Sequence, residues 1–253
     1  MASVATAVAL RTWVIGSAVV ASESMRPTLE VGDHLWVDRT AYGMRWPWST
    51  APAQLPQRGD VVVFRYPFDD GSTYVGRRLI KRVVGLPGDR LRLRDNRWEL
   101  NGRPVDRRVV AEREPCAAEQ GVLCERAVEV LDGQAFHTWR RVPEFVGQRH
   151  PDDGSPINDR SWPPGIFNPT RVKPAARRFS PPQNGDYPDF VLPPGVVLLV
   201  GDHRDGSQDG RHFGLVEVGA IEGRARLVWA SRAPGEWLPR WDRLGLGMAD
   251  ADR

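Results

Sequence analysis

The chain has 253 residues, of which 41% are apolar and 26% charged, and it carries a formal net charge of +3. These proportions exclude global disorder, and the length suits one sizeable domain or two small ones with ample core. The basic residues are spread along the chain with no zinc-finger spacing, basic zipper or RNP-like aromatic motif, so they read as a solvated surface and exclude a nucleic-acid-binding stripe.

Residues 1 to 21, MASVATAVALRTWVIGSAVVA, form the most apolar stretch, but Arg11 interrupts it. A spanning helix needs about 20 apolar residues, and a secretory leader needs a basic region ahead of its apolar part, so residues 1–10 are expected to be at most a residual hydrophobic anchor. From Trp13 on, the β-branched run reads equally well as a buried strand. Strand-like runs bounded by Gly-Asp, Pro-Gly and Asn-Gly then recur: His34 to Val37, Val61 to Phe64, Tyr74 to Val84, Arg90 to Leu93, Arg97 to Leu100 and Val196 to Val200. Asn101-Gly102 predicts a type I′ hairpin turn. In Gly223 to Trp229, alternation puts Ala225, Leu227 and Trp229 on one face. With 25 glycines and 22 prolines and no sustained helical period, the fold class is mainly β.

The middle of the chain differs from its ends. Residues 94–189 are rich in Pro, Arg, Asp and Gly and poor in apolar runs, and they read as a loop-rich β insertion of short strands. An antiparallel-sheet core is then expected from residues 11–93 and 190–253, with an extended excursion at 41–58 and a frayed end from Met248. Cys116 and Cys124 have the wrong spacing for a CxxC motif. A disulfide across a short loop is one reading, and two buried thiols are nearly as good a reading from spacing alone.

Lysine is nearly absent. Of 35 Lys and Arg residues only Lys81 and Lys173 are lysines, leaving 33 arginines. GC-rich coding favours arginine, so a surviving lysine is of interest where it does what arginine does not, namely lose its proton near neutral pH. Lys173 sits in the proline-rich insertion and reads as incidental. Lys81 sits in Leu79-Ile80-Lys81-Arg82-Val83-Val84, a strand whose apolar neighbours would disfavour the ammonium. There is no G-x-S-x-G elbow, H-E-x-x-H, P-loop or G-x-G-x-x-G.

Three blocks stand out: Ser22-Glu-Ser-Met-Arg-Pro-Thr-Leu29, Leu79-Ile-Lys-Arg-Val-Val-Gly-Leu-Pro-Gly-Asp89, and Gly201-Asp-His-Arg-Asp-Gly-Ser-Gln-Asp-Gly-Arg-His-Phe-Gly214. With Gly59-Asp60-Val61-Val62-Val63-Phe64 they occur in the order found in the bacterial type I signal peptidase family, and the chain resembles that family from about Leu10 onward. The resemblance implies a Ser-Lys serine endopeptidase that removes signal peptides after small residues of the Ala-x-Ala type, with no metal or other cofactor. By resemblance, Ser24 is the nucleophile and Lys81 its base, while the Ser22 hydroxyl and Ser24 N–H line the oxyanion hole. Ser207 would orient the lysine, and Arg82, Asp202, Asp209 and Arg211 would form an ionic support. Val20, Ala21, Met25, Leu29, Leu79 and Ile80 would line shallow substrate pockets, an extended peptide adding as a strand. The implied partners are signal peptides of exported preproteins and the lipid surface of the cytoplasmic membrane, not nucleic acid. The catalytic part would be a monomer on the outer, periplasmic face. That oxidising side favours the Cys116–Cys124 disulfide.

The sequence departs from the family pattern in places. Ala21 replaces a proline, Glu23 a glycine, and His203 and Gly206 replace asparagines. On a strand, Glu23 would point away from Ser22 and Ser24. The apolar segment ahead of Arg11 is shorter than the family's anchors, and Trp229, Trp237, Trp46 and Trp48 are candidates for an interfacial belt. Two rivals remain: a dedicated Ser-Lys protease that processes a conjugative-transfer pilin, and a non-catalytic basic β module.

Overall fold

The computed structural model describes residues 14–43, 54–69, 72–94, 97–116, 121–142 and 190–248. Residues 1–13, the Trp46/Trp48 tip, Lys173 and the end after Met248 lie outside them. Among the described residues, strands run in chain order as β1 (Ile15–Val19), β2 (Asp33–Asp38), β3 (Val61–Arg65), β4 (Arg78–Gly85), β5 (Arg90–Arg94), β6 (Arg97–Leu100), β7 (Arg103–Pro104), β8 (Asp106–Pro115), β9 (Leu123–Leu131), β10 (Gln134–Arg141), β11 (Phe190–Val191), β12 (Val196–Val200), β13 (Val216–Glu217) and β14 (Ile221–Ser231). One short helix, α1 (Gly210–Phe213), precedes β13. The expectation of a mainly β, antiparallel protein holds.

Seven strands form the main sheet in the order β1-β2-β14-β3-β4-β12-β13, antiparallel at each pairing. Alternation along these strands fills two faces. Val61 and Val63 face a core with Leu35, Val37, Met25, Leu29 and Val228, while Val62 and Phe64 face another with Val83, Leu199, Phe213 and Ile221. A third cluster joins Leu198 and Val200 of the main sheet to Trp98, Leu131 and Phe136 of the middle segment.

Several elements depart from the sequence reading. Tyr74 lies in a turn before β4, where its ring packs on Tyr66 at 5.7 Å between centroids. In β14 the face shared by Ala225, Leu227 and Trp229 does not persist. Irregular registers between Ala225 and Leu227 and between Val228 and Ala230 reset the phase, burying Val228 and leaving Trp229 exposed against His34. The Asn101-Gly102 turn does form, with both φ values positive, 53° and 79°.

The described part of the insertion is built of longer strands than its composition suggested. β8 has 10 residues, β9 nine and β10 eight, in the order β10-β9-β8. Cross-strand charge pairs stand beside the apolar packing here: Arg107 meets Glu125, and Arg126 lies 3.3 Å from Glu114. A four-stranded sheet, β11-β5-β6-β7, runs across both expected boundaries of the insertion. Met248, expected to fray, is buried, and Leu246 packs against the same core.

Candidate active site

Ser24 is the middle residue of a 3₁₀ turn, Glu23–Met25, between β1 and β2. Met25 and Leu29 are both sunk in the core, and the Leu29 N–H donates to the Met25 carbonyl at 2.9 Å, so the turn is anchored on its C-terminal side. The expectation that Ser22, Glu23 and Ser24 form a strand is therefore not met. Only Ser22 is extended, at φ −142° and ψ 162°, and Glu23 pairs with Arg26 at 3.6 Å. The Ser22 and Ser24 hydroxyls are 3.2 Å apart.

Lys81 comes from β4, and its Nζ donates to Ser24 Oγ at 2.6 Å. Its side chain is buried, which pushes the ammonium down from its ordinary value to about 8. The Asp209 and Asp202 carboxylates oppose that shift, and Arg211 reinforces it. The lysine is thus held where an amine can be neutral near physiological pH.

Arg82 makes its contacts elsewhere. Its guanidinium takes Asp202 in a fork, Nε to Oδ1 at 2.8 Å and Nη2 to Oδ2 at 2.6 Å, and also donates to the Gly59 and Met248 carbonyls. The Phe136 ring lies 4.0 Å from its central carbon. The Thr28 hydroxyl donates to Asp202 Oδ2 at 2.6 Å. Asp209 forms a separate pair: it accepts from Arg211 Nε and Nη2, each at 2.9 Å, and from the Gly201 N–H at 2.8 Å. The expected single support is two buried ion pairs, one behind Lys81 and one bracing the end of β12.

Gly201 permits the close approach of these parts. A Cβ there would lie 2.4 Å from the Ser24 carbonyl oxygen and 2.2 Å from Ser207 Oγ. The Ser24 carbonyl accepts instead from the His203 N–H at 3.1 Å. Ser207, expected to orient the lysine, lies close by. Its hydroxyl, buried over Gly201, has no hydrogen-bond partner among the described residues, and the Lys81 ammonium bonds Ser24.

The expected pocket residues divide. Val20, Met25, Leu29 and the partly buried Ile80 belong to one cluster, with Leu29 fully enclosed and so beneath the surface. Ala21 is exposed beside Ser22. Leu79 packs on the other face of the sheet with Phe64 and Tyr66, because successive side chains alternate, so it does not share a pocket with Ile80.

Among the described residues, two strand edges beside this site have no strand partner. Val20 bonds Gly32 and Asp33, at the start of β2, through both its backbone groups, so alternation turns Ser17 and Val19 toward the edge of β1 away from β2. Val83 likewise bonds the segment before β3, so Arg78 and Ile80 face the other way, where β12 pairs only from Arg82 onward. The Arg78 guanidinium crosses between these edges to the Ser17 carbonyl at 3.0 Å.

Cys116 and Cys124 are joined by a disulfide. Among the described residues, the grouping of ligand-type side chains at metal-binding spacing is these two with His203, and its sulfurs are already bonded to each other. The roles of Thr28, the His203 N–H and the Met248 carbonyl were not foreseen. Thr28 lay inside a singled-out block, but its partner is 174 residues away.

A family profile described as signal peptidase, peptidase S26, matches residues 1–230. A signal peptidase I of Pseudomonas aeruginosa is 32% identical over 94% of this chain and 73% of that protein. One from Pseudomonas fluorescens is 30% identical with the same coverage. A solved signal peptidase I from Enterococcus faecalis V583 aligns with 67% of this chain and 95% of its own at 21% identity, with a TM-score of 0.32, too low to carry an argument.

Proposed function

Since this chain belongs to the signal peptidase family, peptidase S26, we propose that it removes signal peptides from exported preproteins through Ser24 as nucleophile and Lys81 as general base. The observation that carries the assignment is the 2.6 Å contact between Lys81 Nζ and Ser24 Oγ inside a site that lowers the lysine pKa to about 8. With the amine neutral, the same contact runs in reverse and the hydroxyl donates its proton to nitrogen as oxygen attacks the scissile carbonyl. Arginine, which keeps its proton, does not serve.

The tetrahedral oxyanion falls to the Ser24 N–H and the Ser22 hydroxyl, which lies 3.2 Å from the nucleophile. Lys81 then returns its proton to the leaving amine, and a water deprotonated by the same nitrogen resolves the acyl-enzyme. Arg82 and Asp202 act behind Lys81, and Asp209 and Arg211 brace the end of β12. The substrate enters extended between β1 and β4, its backbone meeting Ser17 and Val19 on one side and Arg78 and Ile80 on the other. Ala21 and Ile80 border the cleavage point, over Met25. A preference for small residues is carried by the family, not by a measured pocket.

The working surface belongs at the outer face of the cytoplasmic membrane. Supporting this are Trp229, Trp237, Leu238 and Trp241, which are 53%, 91%, 77% and 70% exposed on β14 and the segment after it. No helix among the described residues is long and apolar enough to cross a membrane. The test is cleavage of a panel of preproteins by purified protein, with Ser24→Ala as control. Release of mature protein from many preproteins, abolished by Ser24→Ala, is expected. Cleavage of a single pilin would favour the dedicated processor, and cleavage surviving Ser24→Ala overturns the assignment.

A further inference from the structure

His203 is one of the residues by which this chain departs from its family's pattern, and the structure places it directly behind the nucleophile. Its backbone N–H holds the Ser24 carbonyl at 3.1 Å. Its ring is 2% exposed and stands edge-on to Trp139, centroids 5.8 Å apart, with Nε2 4.0 Å from Cys124 Sγ of the disulfide. The main chain around it is fixed from the same direction: Trp139 N–H donates to the Asp202 carbonyl at 2.9 Å, and Arg204 N–H to the Trp139 carbonyl at 2.8 Å. Strand β10 is thus docked parallel to the segment that carries both Asp202 and His203.

The second departure, Gly206, is physically coupled to the first. A Cβ at 206 would lie 2.4 Å from His203 Nδ1 and 2.5 Å from its Cε1, closer than such atoms approach. The imidazole occupies the volume that any side chain at 206 would need, so the two departures form one packing unit. The ring itself is planar, enclosed by a disulfide and an indole, and has little room to yield.

We propose that His203 is a positioning residue: its ring, wedged between the Cys116–Cys124 disulfide, Trp139 and the space left by Gly206, sets the backbone N–H that holds the Ser24 turn within reach of Lys81. The insertion then serves catalysis by backing the nucleophile, through a contact chain from disulfide to imidazole to the Ser24 carbonyl. Substrate touches none of these groups, so disturbing them alters the rate of acylation more than the strength of peptide binding. The proposal rests on the assignment of Ser24 as nucleophile.

The test is a double-mutant cycle on the full chain, with kcat and KM for an Ala-x-Ala peptide measured separately and the disulfide verified by thiol titration. Gly206→Ala is expected to lower kcat about tenfold or more while KM stays within about twofold. Combined with His203→Ala, which removes the ring, Gly206→Ala should cost nothing further. Cys116→Ala/Cys124→Ala should lower kcat in the native background and have no added effect on top of His203→Ala. If Gly206→Ala alone does not fold, the double substitution with His203→Ala should restore folding. Equal costs of Gly206→Ala with and without the ring, a loss confined to KM, or no rescue of folding would each overturn the proposal. A native chain that cleaves nothing would instead sink the assignment of Ser24, a distinguishable result.

Discussion

Arg82 and Asp202 face each other in a two-bond fork, 2.8 and 2.6 Å long, with both side chains no more than 1% exposed. Arg82 stands immediately next along β4 from Lys81, so the strand carries the proposed general base and this ion pair as neighbours. Removing one member of such a pair leaves the other charge buried, at a cost of about 3–5 kcal/mol. Asp202→Ala should destabilise the fold by that order, read as a fall in the urea midpoint. The milder Asp202→Asn should keep the fold but remove a negative charge that favours the Lys81 ammonium. The acidic limb of the rate profile should then move to lower pH, and an unchanged limb would argue against electrostatic contact between the two.

For the native chain, kcat/KM should rise as pH increases through about 8, the value to which burial pushes Lys81. Lys81→Arg should abolish cleavage while leaving the fold, since the guanidinium holds its proton throughout. Retained cleavage by Lys81→Arg is the outcome that defeats proton abstraction by this side chain.

Stability should carry the same signature with a definite sign. The folded lysine releases its proton near 8 and the unfolded one near 10.4, so between those values the unfolded chain binds more protons and stability rises with pH. Below about 8 the folded state carries the whole penalty of a buried cation, about 3 kcal/mol at most. Lys81→Met should therefore melt higher than the native chain at pH 7, and the gap should close as pH approaches 10. A gap independent of pH would mean that the ammonium is not disfavoured by its surroundings.

Much of the site could be read from local sequence. Ser24 and Lys81 lie in short ordered blocks whose residue types match a single chemistry, and the strands that deliver them show in apolar runs such as Val61 to Phe64. What escaped the reading depends on contacts across the chain. Leu79 and Ile80 are adjacent in sequence but separated by the sheet. That the Ser207 oxygen lies over Gly201 is a matter of loop path and not of composition. Trp229 is exposed because two irregular pairings in β14 shift the phase of alternation, and nothing in Gly223 to Trp229 marks where they fall. The length of β8 was hidden because the strand itself, Asp106–Pro115, is mostly charged and exposed and shows no apolar run.

Arg78 offers a test of the substrate path. Its guanidinium lies on the Ser17 carbonyl at 3.0 Å and is tethered by Glu222 at 2.7 Å. A peptide strand entering between β1 and β4 must take that carbonyl for itself. Arg78→Ala should therefore lower KM for an extended peptide with kcat little changed. A raised KM would show that the Arg78 guanidinium instead holds the substrate.

The same open edges have a consequence outside catalysis. A row of backbone groups that has no strand partner among the described residues receives any extended chain, including the edge of another copy of the protein. An enzyme that must keep such a slot available for peptides cannot bury it under a helix or close it with a permanent strand. Placing arginines at 77 and 78 where the slot begins, one of them already seated on the Ser17 carbonyl, opposes edge-to-edge self-association while leaving an obstacle that a peptide can displace.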